Sequence, residues 1–289
     1  MFEQARCWID GEILPASAAK VSVFDHGFLY GDGVFEGVRF YNNKAFRLPL
    51  HLKRLQRSAQ ALQLNVPLDA DGLTQAVADL LAASPLSEGY LRIIVTRGVG
   101  VLGINPATCH NPSVIIIADQ LQMVSDAQRA QGVRAIIAST RRLTPDRLDS
   151  RIKSLNYLNA ILARMEANYA GVEEAILLND RGCVAEGTAD NLFIVSDGVL
   201  LTPPTTEGAL AGITRQTVLE LAAANGIPAH EAVLTAYDLY NADECFLTGT
   251  GAKLIPVRNI DGRNIGTCPG AIYQQLSAAF ADFIRQETE

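Results

Sequence analysis

The irregular order of strand-like and helix-like stretches is the feature of this sequence that most restricts its fold. Strand patterns with hairpin spacing come first, at Arg6 to Ile9, Val21 to Phe24, Val34 to Tyr41 and Ala45 to Leu48. Helical spacing follows over Leu52 to Leu62 and Leu73 to Leu81, and strand patterns return at Leu91 to Val95 and Val114 to Ile117. This order lacks the regular alternation of a doubly wound parallel sheet.

The second half of the chain continues the mixture. Its patterns predict strands at Val133 to Ala138, Ala175 to Leu178 and Leu192 to Val195, and helices at Ser154 to Tyr169, from Thr214 onward and at Gly270 to Arg285. We therefore expect an α+β (mixed α/β) fold of two domains, with helices around mixed sheets. A small N-terminal domain would cover residues 1–118, a polar linker 119–131 and a larger C-terminal domain 132–289.

Charge and hydropathy argue against several classes of partner. The chain has 31 acidic and 24 basic residues, a formal net charge of −7, and no Lys/Arg-rich run that could follow a phosphate backbone. No segment approaches the roughly 18 apolar residues of a membrane span, and the first residues do not have the pattern of a signal peptide. We expect a cytoplasmic protein with no nucleic-acid or membrane partner.

The cysteines and one adjacent histidine do not indicate a metal site. The five cysteines form no C-x-x-C pair, which favours reduced structural thiols. Cys109 and His110 are neighbours in sequence, but adjacent side chains rarely converge on one ion. No metal is expected.

Gly98 to Gly103 matches G-x-G-x-x-G after a predicted strand, which raises the possibility of dinucleotide binding. Such a site needs a helix directly after the glycines, and Asn105-Pro106 and Asn111-Pro112 stand there instead. We interpret the glycines as shaping a loop at the mouth of a pocket, with a nicotinamide enzyme as the alternative.

A set of residue types suited to pyridoxal 5′-phosphate is present. Lys153 is one of five lysines and lies where a strand-like run passes into a helix, so its amine could point into a cleft. Glu186 follows a short strand and could form an ion pair with a protonated ring nitrogen, or could be an ordinary surface glutamate. Candidate phosphate-binding groups are the helix start after Gly212, the loop Thr248 to Gly251, and Arg54.

Taken together and in this order, these motifs resemble the fold type IV (class IV) pyridoxal-phosphate aminotransferases. The resemblance runs through Trp8 to Gly11, Tyr30 to Gly37, His51 to Leu55, the Lys153 segment, Glu186 to Thr188, Asn191 to Phe193, Gly212 to Arg215 and Thr248 to Thr250. It implies that Lys153 is the Schiff-base lysine and proton shuttle, and that Glu186 partners the ring nitrogen. It also implies a homodimer or higher homo-oligomer whose paired sites share residues.

The resemblance assigns the remaining contacts to matching positions. Tyr157 would bind the ring oxygen, the phosphate site would comprise Arg54, Gly212, Ile213, Thr214, Gly249 and Thr250, and the amides of Thr250 and Gly251 would bind the substrate carboxylate. The apolar substrate wall would include Tyr30, Phe35, Leu102 and Ile104, and Gly37 would also belong to the substrate-binding residues. The expected substrates are small amino acids and 2-oxo acids.

Tyr90-Leu91-Arg92 and Gly103 to Pro106 look like the branched-chain aminotransferase branch, in which Leu, Ile and Val react with 2-oxoglutarate by a ping-pong mechanism. Alternation on a strand places Tyr90 and Arg92 on one face, and we expect Arg92 to meet the distal carboxylate of glutamate. Ser154-Leu155, Lys253 and Asp190 depart from the usual branched-chain pattern. D-amino acid or (R)-amine aminotransferase, aminodeoxychorismate lyase, and a catalytically silent binding protein are the alternatives.

Overall fold

The structure, a computed structural model, describes residues 3–121 and 125–289. The chain divides into two compact units. The first comprises Met1–Leu121, Ile152–Asn156 and Gln286–Glu289, and the second comprises Gln122–Arg151 and Tyr157–Arg285. The chain therefore returns twice to the first unit, and the first return carries Lys153.

The first unit contains a six-stranded sheet that is antiparallel throughout, in the order β2-β1-β6-β5-β3-β4. Its strands are β1 (Arg6–Ile9), β2 (Glu12–Pro15), β3 (Gly33–Tyr41), β4 (Lys44–Ala45), β5 (Gly89–Thr96) and β6 (Ser113–Asp119). Asn42 and Asn43 have φ angles of 51° and 59°, as a tight hairpin turn between β3 and β4 requires.

Within the described residues, three whole helices belong to this unit: α1 (His26–Tyr30), α2 (Leu48–Ala61) and α3 (Ala70–Ala83). Buried residues of α2 recur at helical spacing, and they include the apolar Leu52 and Leu55 as well as the polar His51 and Ser58. The apolar residues of α2 and α3 join those of β3, β5 and β6 in one core. The polar residues of α2 lie on the side that carries Glu36 and Lys153.

The second unit contains a nine-stranded mixed sheet, in the order β12-β11-β10-β13-β14-β7-β8-β9 with β15 paired to β14. Its strands are β7 (Val133–Ile137), β8 (Glu174–Leu178), β9 (Val184–Gly187), β10 (Asn191–Ser196), β11 (Val199–Thr202), β12 (Ala229–Glu231), β13 (Glu244–Gly249), β14 (Lys253–Ile260) and β15 (Arg263–Asn264). Strands β7 and β8 pair in parallel, whereas β8 and β9 pair antiparallel and lead directly to Glu186.

The helices of the second unit are α4 (Asp126–Gln131), α5 (Leu158–Tyr169), α6 (Ile213–Ala224), α7 (Ala236–Tyr240) and most of α8 (Ala271–Thr288). Alanines of α5 pack against β8 in a small core of their own. The prediction of sheets surrounded by helices is confirmed. None of the helices in the described part of the chain is long and apolar enough to cross a membrane.

One predicted element is absent, and two others are wrong in their bounds. Val21 to Phe24 is not a strand, and its apolar side chains are exposed because the segment lies outside the sheet. The strand predicted over Ala45 to Leu48 ends at Ala45, since Arg47 is left-handed at φ 56° and Leu48 begins α2. The helix predicted from Ser154 begins at Leu158, because residues 153–155 pair with β3 instead.

The predicted linker, residues 119–131, falls partly outside the described residues, at 122–124. Within the rest, Asp119 ends β6, and Ser125 caps α4 through a reciprocal pair of hydrogen bonds with Gln128. The boundaries 1–118 and 132–289 remain a prediction.

Candidate active site

Lys153 lies on a short extended segment that is fixed along the edge of β3. The Phe35 amide donates to the Lys153 carbonyl oxygen at 2.9 Å, and the Leu155 amide donates to the Gly33 carbonyl oxygen at 3.0 Å. The Lys153 amide in turn donates to Oγ of Ser58 on α2 at 3.1 Å. Both backbone polar groups of Lys153 are therefore held in place, which fixes the point from which its side chain extends.

The Lys153 amine and the Arg92 guanidinium both lie against the ring of Phe35. Nζ of Lys153 is 4.5 Å from the ring centroid, and Cζ of Arg92 is 4.2 Å from it. Arg92 is also 6.0 Å from the ring centroid of Tyr90, so these two side chains share one face of β5, as strand alternation predicts. The structure thus brings together an amine, a guanidinium and an aromatic wall.

Gly37 makes room for Tyr90. A Cβ atom at position 37 would lie 1.7 Å from the Tyr90 hydroxyl oxygen, and Gly37 is directly opposite Arg92 in the strand register. Any larger residue at this position would displace the Tyr90 side chain. Gly37 therefore contributes space to the site, whereas Tyr90 contributes the hydroxyl.

Arg54 is held by a buried carboxylate that the sequence analysis did not single out. Its Nε and Nη2 atoms donate to the two oxygens of Glu36, each at 2.7 Å. Nδ1 of His51, one turn earlier on α2, lies 2.7 Å from Oε2 of Glu36. Because carboxylate oxygens accept, His51 is protonated at Nδ1.

The ionisation of this cluster follows from its burial and its charges. Burial opposes ionisation of Glu36, but the Arg54 guanidinium and the hydrogen bonds from Arg54 and His51 outweigh it and lower the pKa of Glu36 to about 2. Burial lowers the pKa of His51, and this effect exceeds the opposing hydrogen bond from Glu36. The nearby charges of Arg54 and Lys153 lower the His51 pKa further, so the ring is neutral near pH 7.

In the second unit, Glu186 is buried and held by three donors. Nη2 of Arg142 donates to Oε1 at 2.5 Å, the Leu210 amide donates to Oε2 at 2.9 Å, and Nδ2 of Asn191 donates to Oε2 at 3.3 Å. The predicted role of Glu186 needs a carboxylate with a fixed orientation, and this set of contacts provides one. Arg142 was not a candidate in the sequence analysis.

The start of α6 lies against the same asparagine. Gly212 is the N-cap residue and makes no side-chain cap, and a Cβ atom there would lie 2.0 Å from Oδ1 of Asn191. Asn191 also donates to the Leu210 carbonyl oxygen at 2.9 Å. Ile213 and Thr214, the first two residues of the helix, are buried. A helix start without a side-chain cap suits a bound anion.

Gly249 ends β13 beside Asp190, since a Cβ atom at 249 would lie 1.9 Å from Oδ1 of Asp190. Thr250 and Gly251 follow in the turn toward β14 and are partly exposed, as is Tyr157 just before α5. The second unit thus brings Glu186 and Gly212 against Asn191, with Ile213 and Thr214 next along α6, and places Gly249 against Asp190. The contacts predicted for Tyr157, Thr250 and Gly251 remain predictions.

Tyr30, Leu102 and Ile104 belong to the first unit, where Tyr30 ends α1 and the other two flank Gly103. The Gly103 amide donates to the Tyr30 hydroxyl oxygen at 2.8 Å. Leu102 and Ile104 are 72% and 84% exposed. Within one chain these two residues do not form a packed wall. The dinucleotide interpretation of the glycines finds no support, because only a three-residue 3-10 helix, Pro106–Thr108, follows them.

Sequence reasoning missed Glu36, His51, Ser58 and Arg142. The sequence did contain a pattern that could have identified His51 and Ser58. Together with Arg54 they recur at the i, i+3, i+7 spacing of one helix face. Glu36 and Arg142 had no comparable signal, because their partners are distant in sequence.

Comparison with known proteins identifies the class. Residues 33–260 match the family model of the class IV aminotransferases, so the chain belongs to this family. A putative branched-chain-amino-acid aminotransferase from Methanocaldococcus jannaschii is 47% identical over 278 residues, which are 96% of each chain. The branched-chain-amino-acid aminotransferase of Escherichia coli K12 is 37% identical over 98% of this chain and 94% of its own.

Solved structures agree with the family assignment. The crystal structure of the E. coli branched-chain amino acid aminotransferase superimposes with a TM-score of 0.94 at 36% identity, covering 98% of this chain and 96% of that chain. The fold predicted from the resemblance is confirmed, and the protein is an aminotransferase.

Proposed function

We propose that this chain transfers the amino group of branched-chain L-amino acids to 2-oxoglutarate, with pyridoxal 5′-phosphate as cofactor. The observation that carries the proposal is the position of the Lys153 amine, which lies with Arg92 against the Phe35 ring on a segment whose backbone is fixed. A reactive amine, an apolar wall and a guanidinium are the groups that this reaction needs from one side of its site.

The residues present fit pyridoxal 5′-phosphate. Lys153 supplies the amine, and Glu186 supplies a buried carboxylate in a fixed orientation. The start of α6, which has no side-chain cap, and the guanidinium of Arg54 suit its phosphate group. A Thermobaculum terrenum enzyme of this class, solved in its PLP form, superimposes with a TM-score of 0.89 at 31% identity.

The cofactor, when bound, supplies an electron sink for the pair released as the Cα–H bond breaks. In this proposal the amine of Lys153 would accept the Cα proton and later return it to the product. Glu186 would keep the ring nitrogen protonated through its charge. Tyr157 would donate to the ring oxygen, and Arg54, Ile213, Thr214 and Thr250 would hold the phosphate.

The proposed substrates differ in the polarity of their side chains. Phe35 offers an apolar surface for leucine, isoleucine or valine, while Arg92 offers two donors to the distal carboxylate of glutamate. A related branched-chain amino acid aminotransferase has been solved in complex with N-(5′-phosphopyridoxyl)-L-glutamate and also with 4-methylvaleric acid. These two complexes support one pocket for both kinds of side chain. The amides of Thr250 and Gly251 would bind the α-carboxylate.

We also propose a homodimer in which Leu102 and Ile104 complete the partner's substrate pocket. Their exposure in the single chain supports this, because apolar side chains on a surface loop gain free energy from a protein partner. A cytoplasmic location, which cell fractionation would test, is part of the proposal.

The proposal is tested on the purified protein in two steps. Borohydride reduction followed by peptide mapping should label Lys153, and Lys153→Ala should abolish transamination while the protein remains folded. Label on another lysine would overturn the assignment of Lys153.

An amino-donor panel then tests the substrate. L-leucine, D-alanine and (R)-1-phenylethylamine are each supplied with 2-oxoglutarate, and we expect turnover of L-leucine with parallel double-reciprocal lines. Preference for D-alanine or the amine would favour the corresponding alternative. Cofactor binding without turnover of any donor would indicate another reaction on the same fold.

A further inference from the structure

The loop of residues 98–104, here called the glycine loop, is fixed against the segment of residues 24–30 that contains α1. The His26 amide donates to the Gly98 carbonyl oxygen at 2.9 Å, and the Gly100 amide donates to the Phe24 carbonyl oxygen at 3.3 Å. Asp25 and Val99 form an isolated antiparallel bridge between the same two stretches. The first half of the loop is therefore held by backbone hydrogen bonds.

Two side chains hold the second half. Nε2 of His26 lies 3.0 Å from the Val101 carbonyl oxygen, and the Tyr30 hydroxyl accepts from the Gly103 amide at 2.8 Å. A carbonyl oxygen can only accept, so Nε2 of His26 carries the proton. The two rings meet edge to face with their centroids 5.0 Å apart. His26 itself is 1% exposed, so its donor points into the loop from within the fold.

Gly100 has no side chain, which leaves room for the His26 ring to approach the glycine loop. A Cβ atom at position 100 would lie 2.7 Å from Nε2 of His26 and 2.5 Å from Sγ of Cys109. Gly98 has φ +87°, and a Cβ atom there would lie 1.9 Å from the Asn111 carbonyl oxygen. These two glycines of the G-x-G-x-x-G pattern therefore allow the loop to pack closely against its neighbours.

Apolar packing does not hold the tip of the loop. Val101, Leu102 and Ile104 are all exposed, as are Val99 and Phe28. Because these side chains are exposed, the conformation at the tip depends on the hydrogen bonds from His26 and to Tyr30. A change in either bond would move Leu102 and Ile104 relative to the rest of the unit.

We propose that His26 is a positioning residue for substrate selectivity, whose Nε2–H bond to Val101 sets the positions in which Leu102 and Ile104 meet an aliphatic substrate. This inference rests on the proposed function, in which these two residues complete the substrate pocket of the partner subunit. It concerns the aliphatic donor only, since the distal carboxylate of glutamate is assigned to Arg92.

Two substitutions of His26 separate a positioning role from a merely structural one. Gln places an amide donor near the position of Nε2, whereas Asn is polar but too short to reach the Val101 oxygen. We expect His26→Asn to raise the KM for L-leucine about tenfold, the effect of one lost hydrogen bond, and the KM for 2-oxoglutarate less than about threefold. His26→Gln should stay within about threefold of the wild type for both substrates.

Amide hydrogen exchange supplies a readout that does not depend on turnover. The amides of the glycine loop should exchange faster in His26→Asn, and at the wild-type rate in His26→Gln and in the control His230→Leu, which replaces an exposed histidine on β12. Equal changes in both KM values, or unchanged exchange in His26→Asn, would overturn the proposal. If the wild type does not use L-leucine, the proposed function fails, whereas the exchange data still decide whether His26 holds the loop.

Discussion

At residue 36 a carboxylate is fully buried and still ionised. Glu36 binds Arg54 through two parallel hydrogen bonds and receives a third from His51, so each of its oxygens is satisfied. The arrangement places a guanidinium in a defined orientation without leaving an unpaired buried charge. Under the proposed function, this orientation is what presents Arg54 to a phosphate group.

Replacing Glu36 should destabilise the fold in a pH-dependent way. Glu36→Gln leaves Arg54 without its charge partner, which for a buried pair costs about 3 kcal/mol of unfolding free energy. The pKa of Glu36 is lowered from 4.5 to about 2, so its contribution is present above pH 4.5 and is lost as the pH falls toward 2. The difference in unfolding free energy between wild type and variant should shrink over this range.

Urea unfolding at several pH values measures this difference. Asp32→Asn is the matched control, because Asp32 binds Arg97 through the same two-bond geometry in the same unit but is partly exposed. A smaller loss is expected there. A loss for Glu36→Gln that does not vary between pH 6 and pH 3 would contradict the role of its ionised form.

Arg92 is predicted to discriminate between the two substrates. Arg92→Leu should raise the KM for 2-oxoglutarate about ten- to a hundredfold, since a buried carboxylate loses its charged partner, and should change the KM for L-leucine far less. Steady-state kinetics with each substrate varied in turn measures both values. An equal rise in KM for both substrates would show that Arg92 shapes the site without binding the distal carboxylate.

Among the elements, helix α2 has two functions on one face. Its apolar residues join the core of the first unit, and its polar residues His51, Arg54 and Ser58 contact Glu36 and the Lys153 amide. Helical periodicity predicted the buried face but not which polar residues would share it. That distinction depends on β3 and on the returning segment of residues 152–156, which the helix meets only in the folded chain.

The space that Gly212 leaves at the start of α6 can be tested by substituting alanine. Gly212 has φ −66° and ψ 135°, which any residue adopts, so Gly212→Ala adds no backbone strain. Its Cβ would displace Asn191, which contacts both Glu186 and the Leu210 carbonyl oxygen. We expect a loss of about 1–3 kcal/mol in unfolding free energy and weaker cofactor binding.

Gly72→Ala in α3 is the control for Gly212→Ala. It adds the same methyl group within a helix, and its nearest contact is the end of the Asp69 side chain at 3.2 Å. Thermal unfolding and cofactor titration of both variants give the comparison. If Gly212→Ala binds the cofactor with wild-type affinity, the contact with Asn191 does not contribute to cofactor binding.

At the scale of the whole molecule, α5 presents an apolar stripe that one chain leaves uncovered. Leu158, Ile161, Leu162, Met165 and Tyr169 recur along one face and are each more than 40% exposed. A stripe of this size on a helix is typical of a protein interface. Together with the exposed Leu102 and Ile104, it supports assembly of two copies.

The proposed dimer is tested by charging this stripe. Ile161→Glu should shift the protein from dimer to monomer in light scattering, because a charge is costly in an apolar interface but not on an exposed helix face. Ala82→Glu, at an exposed position of α3, should leave the mass unchanged. A monomeric wild type, or a dimeric Ile161→Glu protein, would count against this interface.

Most helices and strands of this protein, and its family, could be predicted from the sequence alone. Periodicity located most helices and strands, because the apolar spacing that buries one face of an element is a local property. The order of motifs indicated the family, and Lys153 stood out among five lysines. The comparisons confirmed the family, while the individual site roles stay predictions.

Only the tertiary structure showed the partners of the functional side chains. The bonds of Glu36 to Arg54 and of Arg142 to Glu186, and the pairing of residues 153–155 with β3, join residues that are distant in sequence. No local pattern encodes such contacts, because a buried charge selects its partner by proximity and desolvation, and both exist only after the chain has folded.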